Sequence, residues 1–273
     1  MSSHRPTVLL TGAAGRLARS IRSSLQSHCA ELRLTDRVPV EAPGYPAHCV
    51  HLGELADIGE HPQLLEGVDA IVHLAGHPRE ADWPTLIEAN MTATIALWEA
   101  ARAQGVQRIV YASSNHAVGF YPRSQRIDHE APTRPDSRYG LTKVFMEGLA
   151  SLYADKYGLR AFGMRIGHCA PEPSDARMLA HWIHPEDLAD LVLVGLHSDY
   201  HCELVYGASA NSRSWWDNRR AQALGYSPRH SADPFAARLE SLGESDPVAE
   251  RYQGGAFAAQ EYQGDPERAA RGR

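Results

Sequence analysis

The sequence predicts an α/β fold built on a parallel sheet, and three observations carry that expectation. Short apolar, β-branched runs alternate with longer helical patterns along most of the chain. A glycine-rich turn separates the first such run from the first helical stretch. Hydrophobic residues make up 43% of 273, enough to bury a full core, yet no apolar run approaches the roughly 18 residues of a membrane span.

Taken in order, strands are expected at 7–11 (TVLLT), 31–35 (ELRLT), 47–51 (AHCVH), 70–76 (AIVHLAG), 108–114 (RIVYASS), 160–167 (RAFGMRIG) and 203–207 (ELVYG). Helices are expected near 15–27, 60–67, 84–104, 138–157 and 185–197. This alternation is that of βαβ units, which place helices on both faces of the sheet. After residue 167 the pattern loosens: 169–178 reads as a loop, and WWDN at 215–218 opens a further helix. The expected organisation is one domain over 1–258. A small C-terminal cap comes mainly from 168–185 and 208–258, and 259–273 forms a flexible tail.

Composition narrows the function. The chain carries 27 basic and 33 acidic residues, a net charge of −6, with no basic stripe of the kind a nucleic-acid backbone requires. Its N-terminal apolar run is too short for a signal-peptide core, so a soluble, cytoplasmic protein with no membrane association is expected. Cys29, Cys49, Cys169 and Cys202 are scattered without a C-x-x-C pair. Neither a metal site nor a disulfide framework is suggested, and the thiols are expected to be reduced and mostly buried.

The glycine turn lies in LLTGAAGRLARSIRSSL. Gly12, lacking Cβ, permits a tight turn, and Gly15 lets the backbone approach a pyrophosphate at the helix N-terminus, where the Arg16 and Leu17 amides would be the donors. Ala18 is small enough for close helix–strand packing. Asp36 follows Gly15 by 21 residues, at the end of the next strand. There a carboxylate accepts hydrogen bonds from the adenosine ribose and repels a 2′-phosphate, which favours NAD, although neighbouring Arg37 could accept that phosphate. The fold expected is therefore a doubly wound sheet of the Rossmann type.

RYGLTKVFME at 138–147 holds one of only two lysines in a chain with 25 arginines. Tyr139 and Lys143 stand at i and i+4 on a helix and so share a face. An ammonium beside a phenol is expected to pull its pKa down from about 10, giving a base usable near neutrality, and Lys143 can also hold a nicotinamide ribose. Ser113 and Ser114 end a strand at the ligand-binding edge of the sheet, where a hydroxyl can bond the substrate oxygen that Tyr139 deprotonates.

With TGAAGRLA, Asp36, VHLAG at 72–76, Asn90, Ser114 and Tyr139-x-x-x-Lys143 in this order, the sequence resembles the extended short-chain dehydrogenase/reductase superfamily. A narrower resemblance, over roughly residues 7 to 258, is to the NAD-dependent uronate dehydrogenases. It is carried by ASSNHAVGFYP (112–122), RPDSRYGLTK (134–143), RIGHCAPEPSDARM (165–178), YGASANSRSWWDN (206–218) and RYQGGAF (251–257). The resemblance implies oxidation of galacturonate or glucuronate at the anomeric carbon to an aldarolactone, by an enzyme usually assembled as homo-oligomers. Tyr139 would be the general base and Lys143 its electrostatic partner. Ser114, Asn115 and His116 would hold sugar hydroxyls, Arg177 would clamp the carboxylate, and Leu74, Ala75, Gly76 and Leu52 would line the cofactor. A sugar acid needs such a charge-matched, bidentate partner in any case. Asn90 is expected to hold backbone with no chemical step, and Trp215 and Trp216 to seal the cap.

Three positions depart from the family. His168 stands where a serine commonly follows RIG, Pro78 where a serine follows VHLAG, and His51 where an aspartate precedes Leu52. His168 can donate to a carboxylate or hydroxyl; Pro78 cannot. Two further readings stay open: a nucleotide-sugar epimerase or dehydratase on the same scaffold, and a catalytically silent NAD-binding protein.

Overall fold

A computed structural model describes residues 5–243 and 245–265. Nine strands run in chain order: β1 Thr7–Thr11, β2 Glu31–Asp36, β3 Val50–Leu52, β4 Ala70–His73, β5 Arg108–Ser114, β6 Arg160–Ile166, β7 His168–Cys169, β8 Trp182–Ile183 and β9 Cys202–Gly207. Seven of them form a sheet in the order β3-β2-β1-β4-β5-β6-β9, and every pairing is parallel. β7 and β8 pair separately. The helices α1 Arg16–His28, α2 Trp83–Leu86, α3 Ala93–Ala103, α4 Arg138–Tyr157, α5 Met178–His181 and α6 Pro185–His197 supply the crossovers and cover the sheet.

Strand side chains alternate between faces, so each strand feeds two cores. Val8, Leu10 and Val72 pack with Ile21 and Leu25 of α1 and Leu188, Leu191 and Val192 of α6. Leu9, Ile71 and Ile109 pack on the opposite face with Leu97 and Trp98 of α3 and Met146 and Ala150 of α4. A third cluster, around Val118, Tyr206 and Trp216, and a fourth, around Met178, Trp182 and Leu239, bind the cap segments to the sheet edge. Among the described residues no helix is long and apolar enough to cross a membrane.

Several expected boundaries move, each for a local reason. β3 starts at Val50 because Ala47–Cys49 winds as a helical turn after Pro46. β4 stops at His73, where the chain turns to cross over Gly12. The helix expected at 60–67 is instead two short turns, Leu55–Glu60 and Pro62–Leu64, broken by Pro62 and ended at Gly67 with φ +69°. The helix expected at 84–104 holds a π turn over Ile87–Thr92, centred on the buried Asn90. Trp216 bridges to Ile127, so the helix expected to open at 215–218 begins only at Arg219. Finally, the expected tail is packed at its start. Arg138 donates to both Glu261 oxygens (3.0 and 3.2 Å), and Tyr262 lies against Phe120. Residues 266–273 of that tail lie outside the described residues.

Candidate active site

The sheet order reverses between β1 and β4, which opens a crevice beyond the carboxyl ends of these strands. Gly12, at φ +69°, turns the chain there; a Cβ on it would fall 2.6 Å from the Ala75 nitrogen and 2.8 Å from the Leu74 carbonyl carbon. The turn thus rests directly on the Leu74–Gly76 loop, and only glycine fits. Gly15 caps α1 with extended backbone; no side chain caps this end and its first turn holds no acid. The amides of Arg16 and Leu17, in this first turn, are thus left without a side-chain cap. Asp36 accepts from Ala14 N (2.9 Å) and Val38 N (3.2 Å), pairs in register with Leu52, and so sits where a ribose would follow. Leu52 is 59% exposed, while half-buried His51 lies against the His61 ring, with burial and then His61 lowering its pKa. These residues fit a dinucleotide.

Next to the crevice, the start of α4 is held by three capping bonds. Ser137 Oγ accepts from Gly140 N (3.0 Å), and the Glu80 carboxylate accepts from Arg138 N (3.2 Å) and Tyr139 N (2.8 Å). Tyr139 and Lys143 then lie buried on one face of the helix, with Lys143 Nζ 5.6 Å from the phenol ring centre and donating to the Ala112 carbonyl (2.8 Å). Ser114 hydrogen-bonds the Tyr139 side chain, which lowers the phenol's pKa. The expected acidification by lysine is not what the buried pair does. Burial pushes Tyr139 up to about 12, with the Asp136 charge adding to the rise, and pushes Lys143 down to about 8. Ser113 takes no part: strand alternation points it away, where Oγ donates to Glu147 (2.6 Å), itself in a buried ion pair with Arg165.

The same site collects the other candidates. The Asn115 amide donates to the Ile166 carbonyl (3.1 Å) and accepts from Arg177 Nη2 (3.2 Å). Arg177 also donates Nε and Nη2 to the Gln253 carbonyl (3.0 and 2.7 Å), which fastens the C-terminal segment over the site. His116 bonds Asp136 through Nδ1 (2.7 Å), stacks on Phe257 at 4.0 Å and meets the Tyr139 ring edge-on at 5.8 Å. His168 is half-buried between the charges of Arg16, Asp175 and Arg177, its pKa lowered chiefly by burial. Pro78 is exposed in the loop beyond Gly76. Asn90 accepts from His77 N (2.7 Å) and donates to the His77 carbonyl (3.1 Å) and to Thr142 of α4 (3.0 Å). It joins the cofactor-side loop to the tyrosine helix, a wider part than holding its own helix.

The sequence profile of the NAD dependent epimerase/dehydratase family matches residues 8–215. The chain belongs to that family. Within it, the chain is 43% identical over 254 residues to the uronate dehydrogenase of Pseudomonas putida, covering 92% of this chain and 95% of that one. The crystal structure of glucuronic acid dehydrogenase from Chromohalobacter salexigens superposes with a TM-score of 0.87 at 42% identity, over 96% of this chain and 98% of that one. A point mutant of the Agrobacterium tumefaciens uronate dehydrogenase complexed with NAD gives 0.87 at 37% identity, over 93% and 97%.

Sequence reasoning passed over four members of the site. Glu80 caps α4 from a loop 59 residues upstream of Tyr139, and Gln253 meets Arg177 across 76 residues. Phe257 and Asp136 fix His116 from different segments. Asp136 lies within RPDSRYGLTK, and Gln253 and Phe257 within RYQGGAF, but neither stretch says what these side chains hold. Away from the crevice, His184, Glu186 and His230 bring ligand-type atoms within 4.8 Å of one another, with the two imidazoles stacked at 3.7 Å and 21°.

Proposed function

We propose that the chain oxidises a hexuronic acid, galacturonate or glucuronate, at the anomeric carbon and yields an aldarolactone. The observation that carries this reading is Tyr139, bonded by Ser114 and held beside Lys143, with Asn115, His116 and Arg177 gathered around it. NAD, bound along the crevice, supplies the hydride acceptor. Gly12, Gly15 and the amides of Arg16 and Leu17 hold the pyrophosphate. Asp36 holds the adenosine ribose, His51 and Leu52 border the adenine, and Leu74–Gly76 line the middle of the cofactor. Lys143, committed on one side to Ala112, grips the nicotinamide ribose, and that grip rather than acidification of the phenol is its main part.

To take the proton of the anomeric hydroxyl as the hydride leaves the same carbon, Tyr139 must stand as the phenolate, and the positive charge of bound NAD, with the Ser114 bond, would lower its pKa from the value that burial sets; a general base so placed contributes ~100- to 10,000-fold. Ser114 bonds that hydroxyl, and Asn115 and His116 hold the ring hydroxyls. Arg177 meets the carboxylate. Its Nε and Nη2 also donate to the Gln253 carbonyl, so the guanidinium is held in place by the C-terminal segment. His168 adds a second polar group to that end.

Two competing readings separate by substrate. The match to the epimerase/dehydratase family favours a nucleotide sugar as the second choice. NADH formation is to be followed with galacturonate, glucuronate, glucose, galactose and UDP-sugars. Turnover of the uronates alone, with KM raised at least about tenfold in Arg177→Ala, is expected. Turnover of UDP-sugars, or NAD binding without turnover of any sugar, would replace the proposal with one of the alternatives. The proposal includes a homo-oligomer and a cytoplasmic location, the latter supported by four unpaired thiols. Size-exclusion chromatography with light scattering checks the assembly.

A further inference from the structure

Asp136 is a carboxylate sealed from solvent: its side chain has no exposed surface. Its Oδ2 accepts from His116 Nδ1 (2.7 Å), and its Oδ1 accepts from Ser137 Oγ (2.8 Å). The space it fills exists because three glycines surround it. A Cβ on Gly119 or on Gly254 would lie 1.8 Å from Oδ2, and one on Gly140 would lie 3.2 Å from Oδ1 and 2.4 Å from the His116 carbonyl oxygen. These glycines come from the loop after β5, the first turn of α4 and the C-terminal segment. Three separate elements thus give up side-chain volume to admit one buried charge.

Burying a carboxylate costs several kcal/mol unless it is paired, and such groups are kept where they do a task. The task is not to help the phenol, since the Asp136 charge raises Tyr139. What Asp136 does hold is His116. An ionised carboxylate only accepts, so the bonded Nδ1 carries the proton and, in the neutral ring, Nε2 is left as an acceptor. Among the described residues Nε2 has no hydrogen-bond partner, and the ring is clamped between Phe257 and Tyr139.

We propose that Asp136 is a positioning residue of the active site, which keeps the His116 proton on Nδ1 so that Nε2 meets a sugar hydroxyl beside Tyr139. The inference rests on the uronate-oxidising reading above, and it makes the Asp136–glycine cage the joint between the C-terminal segment and the histidine.

Two measurements on the full chain test it. Imidazole ¹⁵N shifts of the wild-type protein, with the His116 signals identified by their loss in His116→Ala, are expected to show Nδ1 protonated and Nε2 bare. In Asp136→Asn the proton is expected to move toward Nε2. Steady-state kinetics of Asp136→Asn should show kcat/KM for the uronate down about tenfold to a hundredfold, with KM for NAD unchanged. In the His116→Ala background the same change should add no more than about twofold. Losses that multiply in the double variant, or a wild-type His116 protonated on Nε2, would overturn the proposal. The wild-type shifts decide the tautomer even if Asp136→Asn fails to fold. They decide it too if no uronate is turned over, in which case the functional reading falls by itself.

Discussion

The cofactor half of the molecule and the substrate half are built in different ways. In the first, backbone supplies most of the proposed contacts. Gly12, the amides that open α1 and the ends of β1, β2 and β4 create the crevice within a single stretch of chain, and Asp36 braces the turn from the next strand. In the second, side chains supply them. His116, Asp136, Arg177, Gln253 and Phe257 come from segments far apart in sequence and hold one another in place. The first half should therefore fail through steric change at a few glycines, and the second through loss of a partner.

The largest effect is expected where a buried partner is lost. Arg165 and Glu147 pair at 2.9 Å with 3% and 8% of their side chains exposed, behind the serine strand. Glu147→Ala should lower the unfolding free energy by about 3–5 kcal/mol in a denaturant titration, because it strands a buried guanidinium. In the cofactor half, Gly12→Ala meets backbone at 2.6 Å and carries a side chain at positive φ. It should cost about 2–3 kcal/mol and weaken NAD binding in calorimetry at least about tenfold. Equal NAD affinity in that variant would remove the claim that backbone contact shapes the crevice.

The difference explains what could be read from the sequence. Alternation of apolar runs and the spacing of Gly12, Gly15 and Asp36 are local signals, so the sheet and the crevice were legible, as was the helical face shared by Tyr139 and Lys143. Boundaries shifted wherever a long-range contact intervened, as when Asn90 ties the His77 loop to Thr142 and the helix winds into a π turn. The partners of His116 and Arg177 had no local signal, because nothing in RYQGGAF says that its first glycine makes room for a carboxylate 118 residues away. Nor does spacing report burial, which raises the Tyr139 pKa despite its neighbouring ammonium.

Acid sensitivity sharpens the comparison on the cofactor side. Burial pushes His73, at the end of β4 and bonded to Thr11 (2.8 Å), down to about 3. The unfolded chain takes up that proton near pH 6.5, so between these values it binds more protons than the folded one. The contribution is present above pH 6.5 and lost as the pH falls toward 3, with a slope of up to about 1.4 kcal/mol per pH unit. His73→Leu should flatten that limb of unfolding free energy against pH; an unchanged slope would assign the loss elsewhere. The smallest effect is expected at the exposed end of the C-terminal segment. Glu261→Gln, which weakens the pair with Arg138, should leave the melting temperature essentially unchanged, since exposed pairs are screened.

The most direct test is to replace Tyr139 with Phe and measure NAD binding and uronate oxidation on the same protein. The expected result is NAD affinity within about twofold of wild type with kcat lowered ~100- to 10,000-fold, since the packing of the ring is kept and only the proton acceptor is lost. Oxidation at close to the wild-type rate, with NAD still bound, would contradict the account.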